Sequence, residues 1–282
     1  MKYKLTEETR EVYGCTLHRI EALKDFGKIK KGNKGGWIEK EDNLSQTGNA
    51  WVSDNACVFG DAKVFGDAWV SDNAWVFDNA CVHGNAWVSD NVEVSDNVEV
   101  SDNAEVHDDA EVYYNAKVYG NAKVFGDAKV RGNAKVYGNA KVYDYAWVYG
   151  NAKVHGDAIV SGYAIVSGYA KVHGDAQVHG NAKVHGKAQV FGDAKVYGDA
   201  KVYGDATVEK TKDYIVFKNW WSSGRYFTWT RSSNRWNTGC FYGTGEELVK
   251  KAYKHSELSG REYKRVVDYV ESILIDEKGG KK

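Results

Sequence analysis

The chain of 282 residues contains no proline, four cysteines and one methionine, the first residue. Without proline no turn can rest on a fixed φ near −65°, so every reversal of direction falls to glycine, asparagine and aspartate. Cys15, Cys57, Cys81 and Cys240 are far apart and show no CxxC spacing. That excludes a disulfide or zinc framework and predicts reduced thiols. No apolar run approaches the ~20 residues that cross a bilayer. The start, Met1 to Arg10, is charged where a secretory signal would be apolar, so a cytoplasmic location is expected. Net charge is also nearly absent, with 38 Lys and Arg against 39 Asp and Glu. Global electrostatics therefore offer no case for nucleic acid or a membrane surface as a partner.

What the chain has in excess is glycine, tyrosine and tryptophan, at 30, 19 and 10 copies, and the reason is a repeat. From Ala50 to Val208 the sequence runs as A-x-V-x-[GD]-[ND] through twenty-seven six-residue units. Ala56 to Asp61 and Ala122 to Asp127 are typical, and Val92 and Val98 alone replace the alanine. Within a unit the alanine and valine are two apart and share one side of an extended segment. Gly or Asp followed by Asn or Asp then turns the chain. A turn every six residues suits neither a helix nor a hairpin sheet. It suits a solenoid in which three six-residue sides close an 18-residue triangular coil.

The pairing of Val58 with a small Ala62 four residues later, sustained throughout, resembles the hexapeptide repeat of left-handed parallel β-helices. The resemblance implies left-handed coils, nine of them for residues 50–208, against the general preference for right-handed crossovers. Ile38, Leu44 and Ala50 keep the six-residue spacing, so irregular coils are expected to begin near Ile38. Leu23 to Ile38, with Leu44-Ser45-Gln46, resembles the N-terminal segment of YdcK-like proteins, a cytoplasmic β-helix group with many relatives in phages and prophages.

Both ends of the repeat carry other sequence, as a solenoid with exposed end strands requires. Residues 1–49 predict a cap with a hairpin around Tyr13-Gly14. Residues 209–282 predict a small α+β domain with three strands. Ser222-Ser223-Gly224 and Ser232-Ser233-Asn234 are its turns, and two helices follow, capped by Thr244 with Glu247 and by Ser259 with Glu262. Tyr263, Val266, Val267, Val270 and Ile273 mark one apolar face of the second helix, and the tail Glu277 to Lys282 reads as loose.

Many proteins of the resembled fold transfer acyl groups from coenzyme A or acyl carrier protein. Their sites are completed by a loop extruded from a coil, around a catalytic histidine. Here no unit carries an insertion, and no nucleophile elbow or phosphate loop occurs. His155 and His173 stack 18 apart in one column, whereas His173, His179 and His185 diverge by 120° steps and cannot grip one metal. No catalytic residue, metal or cofactor is expected on these grounds. The rod is polarised, from a balance of −13 over residues 50–116 to +5 over residues 117–208, and Lys117, Lys135, Lys153 and Lys171 share a column. Such lysines are read as guards of an exposed sheet rather than a nucleic-acid track.

Interaction signals are stronger. Trp51, Trp69 and Trp87 stack 18 apart, with Cys57, Trp75, Phe59 and Phe77 on the next side. They are covered either by the N-terminal segment or by another chain. A second belt of Trp147, Ile159, Ile165, Tyr163 and Tyr169 predicts a homo-oligomer, dimer or trimer. In the C-terminal domain, Trp229 and Trp236 are expected in the core. Trp220 and Trp221 face opposite ways, so one of them, with Arg225, is expected as an exposed anchor for an unknown host or phage protein. The expected function is thus that of a non-catalytic scaffold and no enzyme. The alternatives are a phage-encoded antagonist of a host defence, acting by binding a protein or nucleotide, and a hexapeptide-type acyltransferase.

Overall fold

The computed structural model describes residues 1–279. Its centre is a left-handed parallel β-solenoid of about ten turns, followed by a small domain of sheet and helices. Every repeat unit supplies a short rung, and rungs 18 residues apart pair in parallel up to the last coil, as Lys135 with Lys153 and Trp147 with Ile165. Three stacked sheets result. We call the face that carries Cys57, Trp75 and Trp147 the first, that of Lys63, Lys117 and Lys153 the second, and that of Trp69, Trp87 and Ile159 the third. The alanine and valine of every unit are buried, and they alone fill the interior of the regular coils. Successive coils are tied by backbone bonds such as Lys135 N to Ala152 O at 2.9 Å and Tyr137 N to Val154 O at 3.0 Å.

The corners explain the turn chemistry. Every fifth position of a unit, from Asp54 to Gly204, has φ between 56° and 79°. Glycine adopts this at no steric cost, and aspartate tolerates it. Aspartate also adds something that glycine lacks. Asp102, Asp108 and Asp144 each accept, through Oδ2, the backbone N–H of the equivalent corner one coil on, at 3.0 Å. The sixth position adds a ladder of side-chain amides, as Asn103 Nδ2 to Asn121 Oδ1 at 3.1 Å and Asn121 Nδ2 to Asn139 Oδ1 at 3.0 Å. The charge reversal falls at a single coil boundary, where Glu99, Glu105 and Glu111 pair with Lys117, Lys123 and Lys129, one pair on each face.

The rod starts before the regular repeat, which makes the turns about ten rather than nine. Strands β1 (Tyr3–Val12) and β2 (Cys15–Ala22) form the expected hairpin, with Tyr13 and Gly14 at positive φ. Strand β3 (Lys34–Ile38) pairs with β2 on one side and, in parallel, with Cys57–Val58 on the other, while Leu44 bridges to Val64. These contacts form an irregular first coil. The N-terminal segment also covers the first aromatic patch. Trp51 is buried against Phe26 and Tyr3, Tyr13 sits edge-on to Trp75 with ring centroids 5.2 Å apart, and Val12 and Leu17 pack over Cys57 and Phe59. Trp87, beyond the reach of the segment, stays 51% exposed.

At the other end, side chains close the last coil. Thr228 Oγ1 accepts from Lys201 N at 2.9 Å, Tyr214 OH donates to Lys195 O at 2.9 Å, and Ser232 Oγ donates to Thr207 O at 2.8 Å. The C-terminal sheet has four strands, not three: Tyr214–Lys218, Tyr226–Thr230, Arg235–Thr238 and Phe241–Gly243. The fourth is a three-residue strand too short to show alternation in sequence. Gly224 and Asn234 take positive φ in the two expected turns. Helix α1 (Gly245–His255) has the expected Thr244 and Glu247 capping box. Helix α2 (Glu257–Gly279) begins before Ser259, whose N–H bonds Ser256 Oγ at 3.1 Å, so Ser256 takes the role expected of Ser259. Phe227, Trp229, Trp236, Leu248, Tyr263, Val267 and Val270 form the core of this domain. The backbone of α2 continues to Gly279, so the stretch read as a loose tail is helical up to there, and residues 280–282 lie outside the described residues.

Two predictions follow from corner and cap. Asp102→Ala keeps the left-handed backbone but loses the bond to Gly120, and should destabilise by about 1–2 kcal/mol. Asp102→Gly loses only the bond and should cost less, as chemical denaturation of both variants will read. Lys2 is buried, donates to Ala50 O at 2.7 Å and stands 5.1 Å from the Phe26 ring; burial, the largest cause, pulls its amine down to about 8 from 10.5. Between those values the unfolded chain binds more protons than the folded one, so the Lys2 contribution to stability rises with pH across that window. Thermal melts at pH 8 and 10 should show wild type gaining on Lys2→Met.

Candidate functional site

A groove of about 840 Å³ runs along the corner between the third and first faces. Two adjacent columns of the rod build it, because residues 18 apart stack. The corner column contributes Asp127, Tyr145, Tyr163, Asn181 and Asp199, and the first face contributes Lys129, Trp147, Ile165, Lys183 and Lys201. At its C-terminal end the groove is walled by Arg225 and Tyr226, which the C-terminal domain brings over the last coils. Apolar rings thus form the floor in mid-groove and cations stand at the ends. Tyr145 and Tyr163 stack at 5.0 Å, and the guanidinium of Arg131 lies 5.0 Å from the Trp147 ring. Lys129 is paired with Glu111 at 2.7 Å. Among the described residues no ion pair engages Lys183, Lys201 or Arg225, so their charge faces the groove and solvent.

Beside this groove, one outward position further along the same rungs, Ser167 Oγ lies 2.9 Å from His185 Nδ1. Ser167 is buried and the next ring in that column is Tyr203, 5.5 Å from His185. Burial pushes the Tyr203 hydroxyl above its ordinary value. A hydroxyl held against one imidazole nitrogen fixes the ring and leaves the other nitrogen for acid–base work. This pair was missed in sequence because histidines were compared only with one another. The 18-residue separation of Ser167 and His185 was the available signal.

The residues expected from sequence are divided by the structure. Trp147, Tyr163 and Ile165 meet in the groove, and Arg225 joins them from the other domain. Ile159 lies on the third face, and Tyr169, 63% exposed, lies at the far corner of the first face, so neither lines the groove. Trp220 is 73% exposed, whereas Trp221 packs edge-on to Tyr263 at 5.0 Å. His155 and His173 stack at 4.9 Å inside a longer column from Tyr119 to Phe191. Burial, ahead of neighbouring charges, holds both below the ordinary imidazole value. Their ring faces are occupied by each other. One group of ligand type, Asp90, His107 and Asp108, has its donor atoms within 4.8 Å of one another. Both of its aspartates already accept backbone N–H groups of the next coil, so the corner bonds account for them.

The fold is that of a left-handed β-helix solenoid built on a six-residue repeat. No protein-family model matches the chain. It is similar to the protein of Escherichia coli (strain K12) described as "Uncharacterized acetyltransferase YdcK", 38% identical over an alignment of 61 positions, which covers 19% of this chain and 19% of that protein. The chain thus spans about a fifth of the length of the curated relative it matches. The expectation of a non-catalytic scaffold that is no enzyme is corrected by this relative, whose name is that of an acetyltransferase. Among the described residues no unit of the repeat extrudes a loop that could wall a site. The wall beside the groove comes instead from the C-terminal domain, through Arg225 and Tyr226.

Proposed function

We propose that the chain is a hexapeptide-type acyltransferase, moving an acyl group from a thioester donor of the coenzyme A kind to an amine or hydroxyl acceptor. The observation that carries this reading is the similarity to a protein named as an acetyltransferase. The groove supports it chemically. A pantetheine-like arm is long and weakly polar and suits the floor of Trp147, Tyr163 and Ile165, while its phosphates suit Lys183, Lys201 and Arg225.

His185 is the proposed general base. With Ser167 Oγ accepting from Nδ1–H, Nε2 is free to take the proton of the acceptor. The acceptor atom then bonds to the thioester carbonyl carbon, the C–S bond breaks, and the thiolate leaves with the proton from His185. In this reading Trp147 and Arg225 bind the donor and Ser167 positions the imidazole.

The test combines calorimetric titration of coenzyme A with thiol release from acetyl-coenzyme A over a panel of amines and sugars. Coenzyme A should bind, and Trp147→Ala should weaken it by about tenfold. His185→Ala should lower thiol release by about 10²-fold or more without altering donor affinity. An absence of coenzyme A binding, or thiol release unchanged in His185→Ala, overturns the proposal.

A further inference from the structure

We propose that the C-terminal domain holds a second, separate site, for a small molecule that bears a phosphate monoester. A pocket of about 610 Å³ lies between the turn at Asn219 to Arg225, the turn around Gly239, and helices α1 and α2. Four of its lining residues carry or can carry positive charge: Arg225, Lys251, Lys254 and His255. Among the described residues no aspartate or glutamate lines it, and none of the four is engaged in an ion pair. Cations gathered in a concavity without a carboxylate repel one another, and an anion relieves that repulsion.

The polar wall opposite is built rather than incidental. Asn219 is buried, its Nδ2 donates to Ser222 Oγ at 3.2 Å and to Tyr263 OH at 3.0 Å, and its Oδ1 accepts from Ser222 N at 3.0 Å. A hydroxyl that accepts in this way keeps its own hydrogen for a further acceptor. Ser222 is therefore set as a donor, and the Tyr263 and Thr238 hydroxyls, 3.4 Å apart, keep one free hydrogen between them. Lys251 Nζ is held 5.4 Å over the Phe241 ring, and Gly239, at φ 57°, leaves open the space next to Arg225 Nη1, which a Cβ there would meet at 3.8 Å. A phosphate monoester is close to dianionic at neutral pH and offers three strong acceptor oxygens, which matches several cations together with oriented hydroxyls. A carboxylate would use only part of that set. The volume falls in the range of small-molecule sites. The inference does not rest on the acyl-transfer reading, since the pocket shares only Arg225 with the groove.

Phenyl phosphate is the probe, titrated calorimetrically into the intact protein at low salt, with phenol as the control without phosphate. Phenyl phosphate should bind and phenol should not. The double variant Lys251→Ala/Lys254→Ala should weaken binding by at least about tenfold, whereas Trp147→Ala, in the groove, should leave it unchanged. Cys240 is exposed and lines the pocket. Its alkylation by iodoacetamide, read by peptide mapping, should slow in the presence of phenyl phosphate in wild type and not in the double variant. Equal affinity in wild type and the double variant, loss of binding in Trp147→Ala instead, or an unprotected Cys240 would overturn the proposal. None of these outcomes depends on whether acetyl-coenzyme A is a substrate.

Discussion

A left-handed backbone residue at every corner is the constraint on which the rest of this molecule depends. A chain that turns each six residues must place positive φ once per unit, and without proline it has glycine and aspartate to do so. Once the corners are set, alanine and valine fall inside and every other side chain falls into one of a few outward columns. Stacking at 18 residues then places like beside like, Asn on Asn and ring on ring, and sets Glu against Lys at the coil boundary where the charge reverses. Exposed ion pairs of that kind contribute little each. Order in the rod comes instead from the backbone ladder and the buried aliphatic interior. Tyr114 is the one corner that is neither glycine nor aspartate, and it holds φ 67° with its N–H bonded to Asp96 Oδ2 at 2.9 Å.

Because those rules are local, the rod was legible in sequence almost to the residue. Parallel pairing, the inward Ala and Val, the hairpin at Tyr13-Gly14 and the cap on α1 all follow from spacing and turn chemistry. What was not legible depended on contacts between distant segments. The covering of Trp51 and Trp75 by the first 45 residues could be framed as an alternative and not decided, since hydrophobic burial has no sequence signature of its partner. The fourth C-terminal strand carries three residues, and the start of α2 is set by Ser256 through a turn that a motif search centred on Ser259 misplaces. The groove is the clearest case. Trp147, Tyr163 and Ile165 were singled out as unusual for their columns, but their meeting with Arg225 arises from the docking of Thr228, Tyr214 and Ser232 on the final coil.

A rigid rod with a docked end domain divides the work of the molecule. Periodic columns give a long apolar floor of fixed spacing, which a loop-built site would have to order at an entropic cost. The non-periodic domain supplies what repetition cannot, an arginine at the end of the groove and a cationic pocket behind it. Function in such a protein is therefore sought where repeat meets non-repeat, and the similarity to a protein named as an acetyltransferase motivates the chemistry proposed for that junction.

The central claim is that six residues with one left-handed corner form the structural unit, and it can be tested by comparing two deletions in the rod far from the groove. Removal of residues 98–103 takes out a whole unit and joins Asn97 to Ala104, which preserves the inward Ala and Val and every remaining corner. Removal of Val100 alone turns Ser101 inward and displaces the corner at Asp102. Thermal melting followed by circular dichroism should show the six-residue deletion melting cooperatively near wild type and the one-residue deletion far below it. A one-residue deletion tolerated as well as the six-residue deletion would contradict the account.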